Sequence, residues 1–383
     1  MLEHIFKITA DDGRYKINIC GIKIAVKSTR LMKIKKLESE IQELKTVAKA
    51  ASAGLKKIEK ELVDLKLVSK WVSVGRVLFY NNADRWTTAQ KKHYLRQECY
   101  RRLGYYPDLR NPKTFNEKLH WLKFNYYDPV QTYVADKATF KDWITEKIGS
   151  EYVIPTIAVY DDIDDINEAV LETLPDRFVI KTTNGYGAQA VKIIKDKSNF
   201  DLDKFKYEFS PLLQEWKKLY YYDLERDYLE INPRIIIEEY REDSNGELND
   251  YKFFCFHGEP KLIEAIRDRA HGDFRASFYD TDWVRQDLRS GNHENAEFAK
   301  PQLFDKMLEI SRKLSREFPH VRVDLYACDD RIYVGELTFY HGGAFSQFNP
   351  RSWDYQLGEY LDLNKLDPDL LNILPEFQPK AEE

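Results

Sequence analysis

Cysteine is scarce in this chain. The 383 residues hold four, Cys20, Cys99, Cys255 and Cys328, with no CxxC pair among them. That spacing argues against a zinc site and a disulfide framework, and it fits a reducing compartment. Cys255 and Cys328 fall inside strand-like runs and read as buried thiols. Long apolar runs are missing too: none approaches the ~18 residues a membrane span needs. No N-terminal stretch joins basic residues, an apolar run and a small-residue cleavage site, so the expected location is the cytoplasm. A dominant charge is also lacking. At a net −5, no global field draws the protein to nucleic acid or to an anionic membrane.

What is present is balanced. Hydrophobic residues make up 43% and charged residues 32%, as in a soluble chain with an ordinary core. The length allows about two or three compact units. Aromatics reach 14%, with 25 Tyr. Such an excess suits clefts where the ring is dry and the hydroxyl wet; a compositional bias of the host explains it equally well.

Residues 1–30 read as a small β unit. Residues 5–9 alternate, Asp11-Asp12-Gly13 supplies a turn, and Tyr15 to Val26 alternates again. Residues 31–70 read as a coiled-coil helix. Apolar residues fall at Ile34, Leu37, Ile41, Leu44, Ala48, Ala51, Leu55, Ile58, Leu62 and Leu65, alternating steps of three and four. A strict 3.5-residue period predicts self-association, a parallel dimer from the early Ile and Leu positions. Trimer and antiparallel hairpin stay open because of the Ala pair and Gly54. Lys23, Lys27, Arg30, Lys33, Lys35 and Lys36 cluster at its start. Weak docking at the inner face of the cell membrane is one reading of that cluster, and a solvated basic stretch is the other. Residues 71–150 are helical and aromatic-rich. Thr114 and Glu117 form a capping box ahead of a helix carrying Trp121 and Leu122. Residues 151–383 hold most of the strands.

Chemistry concentrates between Lys137 and Gly343. Asp136-Lys137 opens a helix over 138–148, where a helix N-terminus plus Lys makes a phosphate site or, alternatively, a solvated Lys. Residues 178–189 form a strand ending at Lys181, then a loop with Gly185 and Gly187. Such a loop can fold its backbone N–H groups over a polyphosphate, and a plain hairpin fits it as well. It contains no Walker A segment. The strand from Arg234 ends in Glu238-Glu239-Tyr240, which suits an adenine hinge. Lys252 lies on the next strand, and Arg267 and Arg269 follow another, so five cations are expected to converge. Finally Arg322-Val323-Asp324 and Gly335-Glu336-Leu337-Thr338 form a hairpin with Asp324 and Glu336 at facing positions. Two dry facing carboxylates would repel, and a divalent cation would resolve that, with phosphate oxygens completing Mg²⁺. An exposed, solvated sheet face is the alternative.

The runs NPKTFNEKLHWLKF, ADKATFKDWI, LPDRFVIKTTNGYG, RIIIEEY, DYKFFCFHGEPKLI and RVDLYACDDRIYVGELTFYHGG resemble, in order, the TupA-like ATP-grasp family of bacterial surface-polysaccharide gene clusters. The resemblance implies an α+β ATP-grasp fold, with antiparallel sheets and helices clasping ATP, preceded by the coiled coil and the small β unit. It implies that Lys137 and Lys181 hold the α- and β-phosphates, with Gly185 and Gly187 shaping the flap. Glu238, Glu239 and Tyr240 would form the hinge, and Asp324 and Glu336 would ligate Mg²⁺. Lys252, Arg267 and Arg322 would act in catalysis, with Arg322 facing the transferred phosphate. Arg269 and the His341-Gly342-Gly343 loop would contact substrate. Thr338 departs from the Asn usual two residues after the magnesium Glu, which leaves the number of metals open.

The implied reaction is ATP-dependent carboxylate–amine ligation through an acyl phosphate. Its partners would be an amine and a uronic acid or amino-acid carboxylate on a nucleotide sugar or glycan. A sugar kinase of the same fold, a glycosyltransferase using Asp161-Asp162 or Asp164-Asp165, and a non-catalytic scaffold are the competing readings.

Overall fold

A computed structural model describes the strand backbones 6–11, 14–19 and 22–26, and then residues 86–185, 190–214, 223–228, 230–244, 249–267, 275–290 and 296–372. The heptad segment 31–70, Gly187 and Arg269 lie outside these residues. The chain divides into two compact units, residues 1–98 and 99–383. Among the described residues no helix is long and apolar enough to cross a membrane.

In the first unit, β1 (Phe6–Asp11), β2 (Arg14–Ile19) and β3 (Ile22–Val26) form an antiparallel meander. Asp11 pairs with Arg14, so Asp12 and Gly13 alone separate the first two strands. The second alternating run of the sequence is two strands, because Ile19 pairs with Ile22 across Cys20-Gly21. Helix α1 (Thr88–Leu103) runs across the boundary of the units in sequence.

The second unit holds two main antiparallel sheets. The smaller has the order β4-β7-β5-β6: β4 (Thr156–Tyr160), β5 (Phe178–Thr182), β6 (Val191–Ile194) and β7 (Ile235–Glu239). Phe178, Ile180, Ile235 and Ile237 bury one face against Phe205 and Phe209 of α6 (Leu202–Gln214) and Leu171 of α5 (Glu168–Thr173). Each such side chain contributes about 1.5–3 kcal/mol on burial. The strand period of two then turns Lys181 and Glu238 to the opposite face.

The larger sheet has the order β10-β9-β8-β12-β13: β8 (Asn249–Phe256), β9 (Glu259–Arg267), β10 (Arg275–Tyr279), β12 (His320–Cys328) and β13 (Arg331–Thr338). A two-stranded ribbon pairs β11 (Arg289–Ser290) with β14 (Phe348–Asn349). Helix α7 (Phe304–Ser315) packs on the larger sheet, and Phe304 meets Phe253. Around it lie α2 (Phe115–Asn125), α3 (Pro129–Ala135), α4 (Thr139–Ile148) and α8 (Ser352–Tyr360). The expected capping box is in place: the Thr114 hydroxyl accepts from the Glu117 N–H while the Glu117 carboxylate accepts from the Thr114 N–H. In α4 the buried positions include Phe140, Trp143 and Ile144, the face the sequence marks.

Candidate active site

Two lysines meet one glutamate on the face of the smaller sheet opposite its apolar core, and a third lysine stands nearby. Glu238 pairs with Lys181 of β5 at 2.6 Å and with Lys141 of α4 at 2.5 Å. Burial alone would raise the Glu238 pKa, but Lys181 and Lys141 outweigh it and hold the carboxyl below its usual value. Lys141 also donates to the Ile154 carbonyl and the Thr156 hydroxyl, so the helix is bolted to the entry of β4. Lys137 precedes that helix. Its N–H donates to the Thr183 carbonyl at 2.9 Å, and its ammonium to the Gly185 carbonyl. The loop cannot take a side chain at Gly185: a Cβ there would lie 2.2 Å from the Thr182 hydroxyl and 2.3 Å from the Ala190 Cβ. Burial lowers the Lys137 pKa, opposed first by Glu336 of the larger sheet and reinforced by Lys181. Lys137 therefore stands between the two sheets.

On the larger sheet the chemistry is set by register. Lys252 of β8 pairs with Asp324 of β12 on one side and Glu264 of β9 on the other, and Asp324 pairs with Glu336 of β13. These four side chains share one face. Arg322 lies two residues before Asp324, and its Nε and Nη2 donate to both Asp324 oxygens at 2.6 Å each. Nη2 also reaches Glu336 at 3.0 Å, and Nη1 meets His341 Nδ1 at 2.9 Å. Lys252 adds a 2.5 Å pair to Asp324 and a 3.0 Å pair to Asp250. Burial opposes the Lys252 charge, yet Asp250 and Asp324 raise its pKa above the ordinary lysine value. Glu264 is buried, which raises its pKa despite Lys252 and Arg322 nearby.

The repulsion between Asp324 and Glu336, which the sequence reading assigns to a cation, is relieved here by Arg322 and Lys252. Among the described residues no group of three or more His, Cys, Asp or Glu is arranged to hold a metal ion. Two carboxylates in register nevertheless suit Mg²⁺ when phosphate oxygens supply the remaining ligands. Glu336 fits that role well, because Arg322 and Thr338 both use its Oε1 and its side chain is 38% exposed. Asp324 fits only by yielding one of its pairs.

The other expected site residues are placed differently. Period-two alternation sets Arg267 on the face opposite Lys252, where it interacts with Tyr251 and stacks over Phe298 at 5.2 Å. The expected convergence of Arg267 with Lys252 is thus corrected: the strand parity separates them. Glu239 turns outward to Arg241, and Tyr240 hydrogen-bonds Glu242 at 2.8 Å. The His341–Ala344 turn has Gly342 and Gly343 at positive φ, and His341 is 8% exposed, against Arg322. Asp161-Asp162 precedes a single 3-10 turn (Ile163–Asp165) that contains Asp164-Asp165, with Asp162 capping it and Asp164 paired to Lys206. Sequence reasoning missed Lys141, Asp250, Glu264 and the buried Lys123 of α2. Lys141 had a readable signal, one turn on from Lys137; Asp250 and Glu264 become visible only through strand register, and Lys123 only through its contacts with residues distant along the chain.

Two antiparallel sheets carrying opposed lysines, an Arg-x-Asp strand and a partnered Glu define an ATP-grasp enzyme. A family description, TupA-like ATPgrasp, matches residues 117–362, and the chain belongs to that family. No curated protein matches. Among solved structures, D-alanine–D-alanine ligase from Bacillus anthracis complexed with ATP is 15% identical with a TM-score of 0.35, covering 60% of this chain and 63% of that one. D-cycloserine synthetase DcsG is 17% identical with a TM-score of 0.36, over 61% and 72% of the two chains. Biotin carboxylase from Campylobacter jejuni is 10% identical with a TM-score of 0.37, over 63% and 49%. The chain thus spans less than two thirds of the first of these, and about half of the last.

Proposed function

We propose that the protein is an ATP-dependent carboxylate–amine ligase acting through an acyl phosphate in bacterial surface-polysaccharide synthesis. Its carboxylate is that of a uronic acid or amino acid on a nucleotide sugar or glycan. The observation that carries this reading is the array Lys252–Asp324–Arg322–Glu336, faced by Lys137 and Lys181. A substrate carboxylate oxygen attacks the γ-phosphorus of ATP and the bond to the β–γ bridging oxygen breaks, leaving acyl phosphate and ADP. An amine then attacks the acyl carbon, loses a proton, and phosphate leaves. Both steps build charge on phosphoryl and acyl oxygens. Arg322 and Lys252 are donors for that charge, held in place by Asp324, Glu336 and Asp250, and Mg²⁺ on Asp324 would displace one of the Asp324 pairs. Lys137 and Lys181 bind the nucleotide phosphates, and Glu238 with Lys141 holds Lys181 in line. When bound, Mg²⁺ would sit on Asp324 and Glu336 and neutralise phosphate charge.

Glu336→Gln is the better test of the metal assignment than a change at Asp324, because Asp324 is 1% exposed and neutralises two buried cations. The variant should fold and lose ~100–1000-fold in ADP release from Mg-ATP. Unchanged turnover would sink the assignment. Thermal unfolding gives the nucleotide half: Mg-ATP at ~100 times its Kd adds roughly 2.7 kcal/mol. Stabilisation by UDP-sugar alone would replace the reading with a glycosyltransferase. ADP release without free phosphate would point to a kinase.

A further inference from the structure

The family resemblance assigns His341 to substrate contact, but its place in the fold is behind Arg322. The residue is 8% exposed. Its ring meets Phe254 edge-on at 4.7 Å, and Phe348 is inclined to it by 28° at 6.2 Å. Guanidinium nitrogens only donate, so the 2.9 Å contact from Arg322 Nη1 makes His341 Nδ1 the acceptor and puts the ring proton on Nε2. Among the described residues Nε2 itself is buried without a hydrogen-bond partner. Burial first, and the neighbouring Arg322 charge second, keep the imidazole neutral, as an acceptor must be.

The turn that carries His341 is pinned from below by α2. Lys123 Nζ donates to the Gly343 carbonyl at 2.7 Å and to the Asp223 carbonyl at 2.5 Å. Asn116 grips Ser346 twice, its Oδ1 accepting from the Ser346 N–H at 3.0 Å and its Nδ2 donating to the Ser346 carbonyl at 2.9 Å. Gly342, Gly343 and Ala344 all have positive φ, a conformation the turn holds only because its neighbours impose it. Asn116 and Lys123 belong to the conspicuous run NPKTFNEKLHWLKF, which no step of the chemistry uses directly.

We infer that His341 is a positioning residue: α2 and the 341–344 turn form a buried mount that holds the Arg322 guanidinium toward the transferred phosphate. This rests on the ligase reading above, in which Arg322 meets that phosphate. Asp324 and Glu336 hold the Nε and Nη2 side of the guanidinium and His341 holds Nη1, so the plane is anchored at two sides. Loss of the second anchor lets the plane tilt about the first.

The test compares Mg-ADP with Mg-ADP plus orthovanadate, a mimic of the phosphoryl group in transfer, on the full-length chain. His341→Phe keeps a ring between Phe254 and Phe348 but removes the acceptor. It should bind Mg-ADP within about twofold of wild type and lose roughly 10²-fold in the affinity gained from vanadate. His341→Asn, which can place an acceptor near Nδ1, should recover much of that gain. Arg322→Lys should lose it as well, and the double variant should lose no more than Arg322→Lys alone. Equal weakening of both ligands, or additive losses in the double variant, would overturn the inference and leave His341 a packing residue. So would a His341→Phe variant that keeps the full vanadate gain. A wild type that binds Mg-ADP but gains nothing from vanadate would remove Arg322 from the phosphate and the inference with it. A wild type that fails to bind Mg-ADP at all would instead bring down the ligase reading.

Discussion

His320 shows how one side chain in this core couples stability to pH. It is 1% exposed, packs edge-on against Phe115 at 4.8 Å, and its Nδ1 lies 2.9 Å from the Cys255 carbonyl. Burial drives its pKa down to about 3, the Cys255 carbonyl resists, and Arg322 adds to the fall. The folded value is below the unfolded one, so the contribution is intact above about pH 6.5 and is lost as pH falls. Between pH 7 and pH 5 the unfolded chain takes up the proton while the folded chain does not, a cost of about 2 kcal/mol. Denaturant titrations of wild type and His320→Phe at both pH values should therefore show the gap shifting by about 2 kcal/mol in the variant's favour at pH 5. A gap that does not move would mean the folded imidazole protonates normally. Nothing in the sequence around His320 announces this, because its cage is built by residues distant along the chain.

Elements were legible where their physics is local. The Thr114–Glu117 box involves only i to i+3 contacts, and the hairpin β12–β13 needs only two alternating runs and a turn, so both follow from the sequence as read. Parity across strands is not local. Lys252 within one strand and Arg267 at the end of the next read alike as converging cations, yet the β8–β9 register sends them to opposite faces. The same limit hid the seat of α2. Nine of its residues are buried, so it is a core helix on which α8 lies, and the two meet at Gly358. A Cβ there would stand 2.1 Å from the Lys113 carbonyl oxygen, and Lys118 ties the Gly358 and Leu361 carbonyls at 2.8 Å each. Backbone cannot yield as a side-chain tip does. Gly358→Ala should destabilise by about 1–3 kcal/mol, the range for overpacking, read from the shift in denaturation midpoint. Because α2 also supports the 341–344 turn, turnover should fall further than the unfolded fraction explains. A variant as stable as wild type would mean that α8 lifts off α2 at little cost.

At the scale of the molecule, the site is legible as a list and illegible as a network. Lys137, Lys181, Glu238, Arg322, Asp324 and Glu336 are brought together, but the sequence could not tell that Asp324 is shared by two cations or that Glu238 joins two lysines. Those pairings need both sheets folded. The heptad segment 31–70 poses the opposite problem, since its period is explicit and its partner is not written anywhere in the chain. A single helix with Leu37, Ile41 and Leu44 exposed along one seam would leave that seam wet, and pairing with a second copy removes it from water. Light scattering on the full chain should then give a multiple of 45.4 kDa. Leu37→Glu with Leu44→Glu places like charges on the seam and should return the mass to the single-chain value. ADP release per chain should be unchanged, because every residue assigned to the chemistry lies between Lys137 and Gly343. A wild type already at the single-chain mass would show that the seam is covered by its own chain. A double variant that stays associated would place the interface elsewhere.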